Sequence, residues 1–283
     1  MPLSEDQIVS EIIKANATEV YRDSAQPAVR VLGKPLAQCI SLFSTPVGRM
    51  AEIIEKNIHK YIDKLEGISE ADLVSPNTRI LVPILEKLRY IDDEKVSDYY
   101  AEILACASQK SHAQKAMLTY IEILNRITSD EIFILEYINS NENVISISEI
   151  QLEEAKKYGL PVGTTKVLLK GSLPVLDVNI QSINEAGYLT ISKNFNLLDE
   201  SLVLQNPENV DLYIDNLISL GLLEKKYKTT FAINKIYEHL ENHPKIQVMK
   251  GQIVQGQRLD LDRGRIDTTS LGLKLLNFGM NKK

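Results

Sequence analysis

The sequence has little cysteine: its 283 residues include only Cys39 and Cys106. Each stands in a segment whose apolar residues have helical spacing, and neither belongs to a closely spaced set of cysteines. The pattern therefore does not indicate a disulfide framework. It favours two reduced, buried thiols, as is usual in cytoplasmic proteins. We predict a cytoplasmic location.

The sequence also lacks a long uninterrupted apolar run. No stretch of about 18 apolar residues occurs, so no stable membrane span is expected. Met1–Asp6 has neither the basic start nor the apolar centre of a signal peptide. The segment Val29–Met50 comes nearest to such a run, but prolines break it and it contains Arg30, Lys34 and Arg49. It is either a basic amphipathic segment that meets a membrane surface or a core helix flanked by turns, which its short apolar face favours.

Motifs of catalytic sites are missing as well. There is no Gly-rich phosphate loop, no dinucleotide-binding fingerprint and no Gly-x-Ser-x-Gly elbow. His239 and His243 have the spacing of metal ligands on a helix, but Glu241 stands one position late for the His-Glu-x-x-His motif. We interpret both histidines as helix-end residues that favour the C-terminal end of the helix dipole. We therefore expect no enzyme activity and no catalytic, cofactor-binding or metal-binding residues.

Charge is unevenly distributed along the chain. The net charge is −6, in a composition that is 44% hydrophobic and 25% charged, as in ordinary globular proteins. The segment Lys225–Arg265 contains nine Lys or Arg and four Asp or Glu, so it carries +5 and the remainder carries −11. An acidic body with a basic C-terminal segment indicates an anionic partner.

The stretch Pro83–Ile138 has the strongest secondary-structure pattern. Apolar residues recur there every three or four positions, which is typical of amphipathic helices. Asp92–Glu94 predicts a capped helix start, and Thr128–Glu131 predicts a capping box for the following helix. The predicted stripes are Tyr99, Ile103, Cys106 and Lys110; Met117, Ile121, Leu124 and Thr128; and Tyr120, Ile123 and Ile127.

These residues resemble a known bacterial family, the Abi-alpha family, which is named for abortive infection. The resemblance extends over roughly residues 30–275 and is strongest in Pro76–Tyr137, with Tyr100–Ala105 and Tyr120–Leu124 in the order that the family has. One departure is Ala116–Tyr120, which stands where the family often has His-Pro-x-Phe. The family has no assigned catalytic residues. The resemblance implies a non-enzymatic anti-phage protein that acts through contacts with an unidentified partner protein.

The C-terminal half mixes helical and extended patterns. The pattern Ile-x-x-(Ile/Leu)-x-x-x-Gly-(Tyr/Leu)-Leu occurs at 180–189 and again at 214–223. We interpret each copy as a helix that ends at a glycine and turns into a strand. This arrangement resembles the third helix and following strand of winged-helix domains, and Thr268–Gly272 resembles the start of their last helix.

The longest insertion in that winged-helix-like pattern lies between the second copy and Thr268. It predicts a helix over Thr230–Asn242 and then a hairpin, with alternating residues from Ile246 and turns at Gly256 and Gly264. The predicted fold class is mainly α. A helical domain is expected over residues 1–138, and an α+β winged-helix-like domain with a basic hairpin insertion over 139–283. The sequence leaves the oligomeric state open.

The hairpin provides the candidate anion site. A basic wing can lie along a phosphate backbone, so nucleic acid is a possible partner and a nucleic-acid-binding regulator is the alternative function. Against it, the helix Val210–Leu220 contains Asp211 and Asp215 and no cation, which is poor for reading bases. The candidate residues are Lys245, Lys250, Arg258, Arg263 and Arg265.

Overall fold

A computed structural model of the chain describes residues 49–182, 187–226 and 229–280. The predicted first helix at Ser4, most of the Val29–Met50 segment and Cys39 lie outside the described residues. The chain divides into two compact units. One consists of residues up to Ser129 together with those from Asn277, and the other is Asp130–Leu276. The division into domains predicted at residue 138 stays a prediction.

Among the described residues, five α-helices precede the first strand and the remaining α-helices are interspersed with six strands, so the fold is mixed α+β with helices at its N-terminal side. The helices are α1 (Arg49–Leu65), α2 (Thr78–Leu88), α3 (Glu94–Ala107), α4 (Leu118–Leu124), α5 (Ser129–Asn139), α6 (Leu152–Tyr158), α7 (Leu198–Ser201), α8 (Val210–Ser219), α9 (Glu238–Glu241), α10 (Pro244–Gly251) and α11 (Ser270–Met280). The strands are β1 (Val144–Ser146), β2 (Lys166–Leu168), β3 (Ser172–Ser182), β4 (Tyr188–Phe195), β5 (Leu223–Lys226) and β6 (Gln257–Thr268). Within the described ranges, no helix is long and apolar enough to cross a membrane.

Helix α3 forms the centre of the first unit and packs against α1 and α2. Tyr99, Ile103 and Cys106 are buried, which confirms three members of the first predicted stripe, whereas Lys110 is exposed and lies beyond the end of the helix. The predicted helix start is also confirmed, because Oδ1 of Asp93 accepts a hydrogen bond from the backbone N–H of Val96 at 2.9 Å.

Helix α4 is shorter than the sequence predicts. The stripes indicate a helix over Met117–Thr128, but α4 ends at Leu124 and Met117 is exposed. The chain leaves the helix there because Ser129, at the start of α5, binds the Asp93 carboxylate through both its hydroxyl and its backbone N–H. Tyr120 and its stripe are buried as predicted.

The C-terminal residues of α11 belong to the first unit, where a glycine packs against a buried tyrosine. A Cβ atom added at Gly279 would lie 2.2 Å from the hydroxyl oxygen of Tyr99. The Tyr99 side chain therefore occupies the space that any larger residue at position 279 would need.

The second unit is built on a four-stranded antiparallel sheet in the order β4-β3-β6-β5, which curls into a half-barrel. Strand β3 pairs with β6 without interruption from Ser172↔Asp267 to Ser182↔Gln257. Strands β1 and β2 form a separate two-stranded sheet. Since β3 and β6 are central and paired on both sides, they form the most constrained part of this unit.

One face of the curled sheet is covered by the chain between β5 and β6. Leu176 and Val178 of β3 pack there against Tyr237, Leu240 and Ile246, all of them buried. The hydroxyl of Tyr237 donates a hydrogen bond to the backbone oxygen of Gly264 at 2.9 Å. The segment between β5 and β6 therefore contributes to the core and is anchored to the sheet that it covers.

The predicted hairpin is wrong between residues 244 and 251, because that segment is helix α10. His243 is its N-cap and Pro244 its first residue, a combination that favours a helix start. Ile246 is buried in the core of the unit, and Val248 is exposed. Residues two positions apart lie on the same face of a strand but on nearly opposite sides of a helix. The different burial of Ile246 and Val248 therefore fits a helix.

One copy of the repeated pattern was also misread. Ile180 lies in β3 and not in a helix, because apolar residues at alternate positions pair with β6 there. The second copy is confirmed, since α8 ends just before Gly221 and this glycine has a φ of +72°.

A buried carboxylate at the start of the second unit holds a loop in place. Asp130 is 2% exposed. Its Oδ1 accepts the backbone N–H of Gln205 at 2.9 Å, and its Oδ2 accepts that of Asn206 at 3.0 Å and the hydroxyl of Tyr213 at 3.1 Å. Asp130 thereby fixes both the 205–206 loop and the first turns of α8.

Candidate functional site

Two of the five predicted anion-binding residues are bound to carboxylates on the covered face of the sheet. Arg263 forms a bidentate pair with Glu241, with Nε–Oε1 at 2.6 Å and Nη2–Oε2 at 3.0 Å. Arg265 binds Asp267 at 2.9 Å, and its guanidinium lies over the Phe231 ring. Because these charges are already paired, they offer little net positive potential to a phosphate.

The other three predicted residues lie elsewhere. On α10, Lys245 is bound to Asp199 at 2.5 Å, whereas Lys250 is exposed and has no recorded partner within the described ranges. Arg258 binds the amide oxygen of Gln181 at 2.6 Å. Side chains alternate along β6, so Arg258 faces the opposite side of the sheet from Arg263 and Arg265. The five cations therefore do not share one surface, and anion binding through them stays a prediction.

The opposite face of the sheet contains a largely buried ion pair. Nζ of Lys225, on β5, lies 2.7 and 2.6 Å from the two carboxylate oxygens of Asp177, on β3. Their side chains are 13% and 28% exposed. A pair with so little exposure is expensive to desolvate and costly to break by removing one partner. The pair therefore fixes the Asp177 carboxylate, and with it any group that hydrogen-bonds to Asp177.

Asp177 also binds the backbone of Asn194, which has an unusual conformation. The Asn194 N–H donates to Oδ1 of Asp177 at 2.9 Å. Two residues of β4 stand opposite this one residue of β3, which makes a β-bulge, and Asn194 has a φ of 52°. Among the described residues it is the only non-glycine with positive φ. Such a conformation costs about 1 kcal/mol or more and is frequent at functional sites.

The side chain of Asn194 is incompletely hydrogen-bonded. It is 3% exposed, and its Nδ2 donates to Oδ1 of Asp215 at 3.1 Å. Its Oδ1 is buried and has no hydrogen-bond partner among the described residues. A buried acceptor without a donor is uncommon in folded proteins, and it indicates a place for a further donor.

Acidic residues surround this amide. Asp211 and Asp215 stand four residues apart on α8, on the same side of the helix. Partial burial raises the pKa of Asp211, with further increases from the Asp215 and Asp199 carboxylates and an opposing effect from Lys245. We define the acidic face as Asn194, Asp199, Asp211 and Asp215. It is electronegative because its three carboxylates outnumber the ammonium group of Lys245.

The acidic face also includes an exposed apolar side chain. Leu212 stands between Asp211 and Asp215 on α8 and is 67% exposed, whereas Ile214 and Leu217 on the other side of the helix are buried. Helix α8 therefore presents one leucine and two carboxylates to solvent.

The two histidines do not form a metal site with other residues. His243 is the N-cap of α10, accepting the N–H of Lys245, and it lies 3.2 Å from Glu200. His239 lies in the last turn of α9 and His243 directly follows the C-cap of that helix, but His243 also begins α10, so the expected role at a helix C-terminus stays a prediction. Burial lowers the pKa of His239, which lines a cavity of about 190 Å³. Over the described ranges, no group of three His, Cys, Asp or Glu is placed to hold a metal ion.

Sequence reasoning missed most of the acidic face. It noted Asp211 and Asp215 only as features that oppose DNA binding. It gave no weight to Asn194, although asparagine adopts positive φ more readily than most residue types other than glycine. The Asn194-Phe195-Asn196 segment contained that signal.

Comparisons with known proteins identify a family but no individual relative. The sequence pattern of the family described as abortive infection alpha matches residues 50–278, which is most of the chain. No curated protein and no solved structure matches the sequence or the fold. The matched range includes the helices of the first unit and the whole of the acidic face. The chain therefore belongs to the abortive infection alpha family.

Proposed function

We propose that this protein is a non-enzymatic component of bacterial defence against phage, which acts by binding a partner protein after infection. The family match over residues 50–278 is the observation that carries the proposal. The non-enzymatic part rests on the sequence, which has no phosphate-binding loop, nucleophile elbow or metal-ligand motif.

The exposed side of α8 supports action through protein contacts. An exposed leucine flanked by carboxylates provides an apolar anchor with charged surroundings, which is a common composition of protein interfaces. Most cations of the second unit discussed above already bind carboxylates. This leaves the acidic face as the more strongly charged recognition surface.

The experiment is a phage challenge of bacteria that express the full chain. We expect protection of the culture at low phage dose and collapse at high dose, because abortive infection sacrifices infected cells before phage multiply. Expression without phage should leave growth unchanged. Cultures that are lysed equally with and without the protein, across a broad phage panel, contradict the proposal.

A second proposal is a nucleic-acid-binding regulator that uses a winged-helix-like C-terminal part. It is supported by Lys250 and Arg258, which bind no carboxylate among the described residues, and by the succession of α8 and β5. Retention on immobilised DNA should then fall as salt rises, and Arg258→Glu should weaken it. Equal retention of the parent chain and Arg258→Glu contradicts this role for Arg258.

A further inference from the structure

The strongest unassigned feature of the second unit is the acidic face together with Leu212. Asp211 and Asp215 are both exposed, and α8 is a ten-residue helix whose other side is buried. Asp199 lies on the neighbouring helix α7, where its carboxylate is bound to Lys245. The side of α8 that faces solvent is thus both charged and apolar.

We propose that the acidic face, with Leu212 as its apolar anchor, binds a segment of a partner protein that carries lysine or arginine beside an apolar residue. This inference rests on the proposed function, since both require a protein partner, and it adds the chemistry of that partner.

A bound cation would stabilise the carboxylates of the acidic face. Asp211 and Asp215 repel one another, and Asp199 adds to the repulsion. Nearby Lys245 relieves this only in part, because its ammonium is bound to Asp199 and Glu200. An ammonium or guanidinium group between the α8 carboxylates would replace repulsion by two attractive contacts.

The amide of Asn194 provides an independent indication. Because Nδ2 of Asn194 is bound to Asp215, the orientation of the amide is fixed, and Oδ1 is the atom without a donor. The residue that holds the Asp215 carboxylate therefore also carries an acceptor that is unsatisfied among the described residues. A guanidinium offers five N–H donors in a planar arrangement, so it can bind a carboxylate and still have donors left over.

The exposed leucine distinguishes a peptide from a metal ion. A metal site gains nothing from an apolar neighbour, whereas a peptide with alternating basic and apolar residues would cover Leu212 and bind the carboxylates beside it. Within the described ranges no trio of acidic or histidine side chains is arranged as a metal site. A nucleic acid is disfavoured here because its phosphates would meet the carboxylates.

The test measures binding of a fluorescent peptide of alternating arginine and leucine to the full chain by anisotropy. The double variant Asp211→Asn, Asp215→Asn should bind at least about 10-fold more weakly, and Leu212→Ser should also weaken binding. Binding of the parent chain should decrease with salt. A charge-matched control is the double variant Glu153→Gln, Asp260→Asn, which removes two exposed carboxylates outside the acidic face. Circular dichroism establishes that each variant is folded.

Equal affinity of the Asp211→Asn, Asp215→Asn variant and the charge-matched control would overturn the inference, because attraction would then come from overall charge. Binding of Ca²⁺ or Mg²⁺ alone at the α8 carboxylates, with no peptide binding, would also overturn it in favour of a metal site.

The phage challenge separates this inference from the proposed function. If the parent chain protects cells but the double variant protects equally well, the acidic face is not the partner site while the defence function stands. If the peptide binds as expected but no phage is resisted, the surface is supported and the defence function is contradicted.

Discussion

Removal of the buried Asp130 carboxylate should destabilise the second unit more than any exposed acidic substitution. Asp130→Ala deletes the acceptor for the N–H groups of Gln205 and Asn206 and for the hydroxyl of Tyr213. A hydrogen bond to a charged group contributes roughly 1.5–3 kcal/mol. Because the loop residues are exposed, water can replace part of the loss. We therefore expect a decrease of about 3 kcal/mol in the free energy of unfolding.

The assay is thermal and urea unfolding followed by circular dichroism. A decrease of this size should lower the melting temperature of a unit of this length by roughly 6–12 °C. Asp260→Ala serves as the control, since Asp260 is exposed and makes no recorded hydrogen bond within the described ranges. Asp130→Asn should be intermediate because it keeps one acceptor oxygen. A melting temperature for Asp130→Ala within 2 °C of the control, roughly 1 kcal/mol or less, would refute the reasoning.

Other expected outcomes concern close packing and alkaline pH. Gly272→Ala should destabilise the protein by about 2 kcal/mol or more, because the added Cβ would lie 2.4 Å from the backbone oxygen of Leu222. Gly251→Ala, which meets no atom within 4 Å, should be neutral in the same unfolding assay. Burial raises the pKa of Tyr61 and of Tyr100. The unfolded chain then loses these protons near pH 10, before the folded chain does, so stability should be full below about pH 10 and fall above it. Exposed tyrosines such as Tyr188 ionise in the folded protein as well, so the test compares unfolding of the parent chain with that of Tyr61→Phe and Tyr100→Phe. The stability of each variant should fall less steeply above about pH 10, and an equally steep fall would contradict the reasoning.

Features decided by neighbouring residues were predictable from the sequence. Asp93 caps α3 and Gly221 follows the end of α8, because a side-chain oxygen or a missing Cβ acts within one helical turn. The stripe containing Tyr99 and Ile103 was predictable for the same reason, since helical periodicity decides which side is buried.

The candidate site was not predictable, because its properties depend on partners far apart in sequence. A count of charges gave +5 for the basic segment, but Arg263 binds a carboxylate 22 residues away and Lys245 one 46 residues away. The conformation of Asn194 depends on Asp177, which is 17 residues earlier and is itself held by Lys225 on another strand. Local patterns contain no information about such pairings.

The wrong prediction of a hairpin around Ile246 has a related cause. Residues at alternate positions around Ile246 fit either a strand or one turn of a helix, and such short segments are ambiguous by periodicity alone. The helix start at His243 and Pro244 was the stronger signal.

The position of β6 in the sheet has a consequence for how the protein is synthesised. This strand is central, yet it is the last strand to leave the ribosome, and its Asp267 binds Ser172, which is 95 residues earlier. Until residue 268 has been translated, β3 and β5 have no strand between them, and the sheet cannot close. The second unit should therefore fold only near the end of translation, as is general for sheets with such distant pairings. A chain that stops before Gln257 would expose the edges of β3 and β5 and be degraded or aggregate. The acidic face would then form only on chains that have been translated past β6.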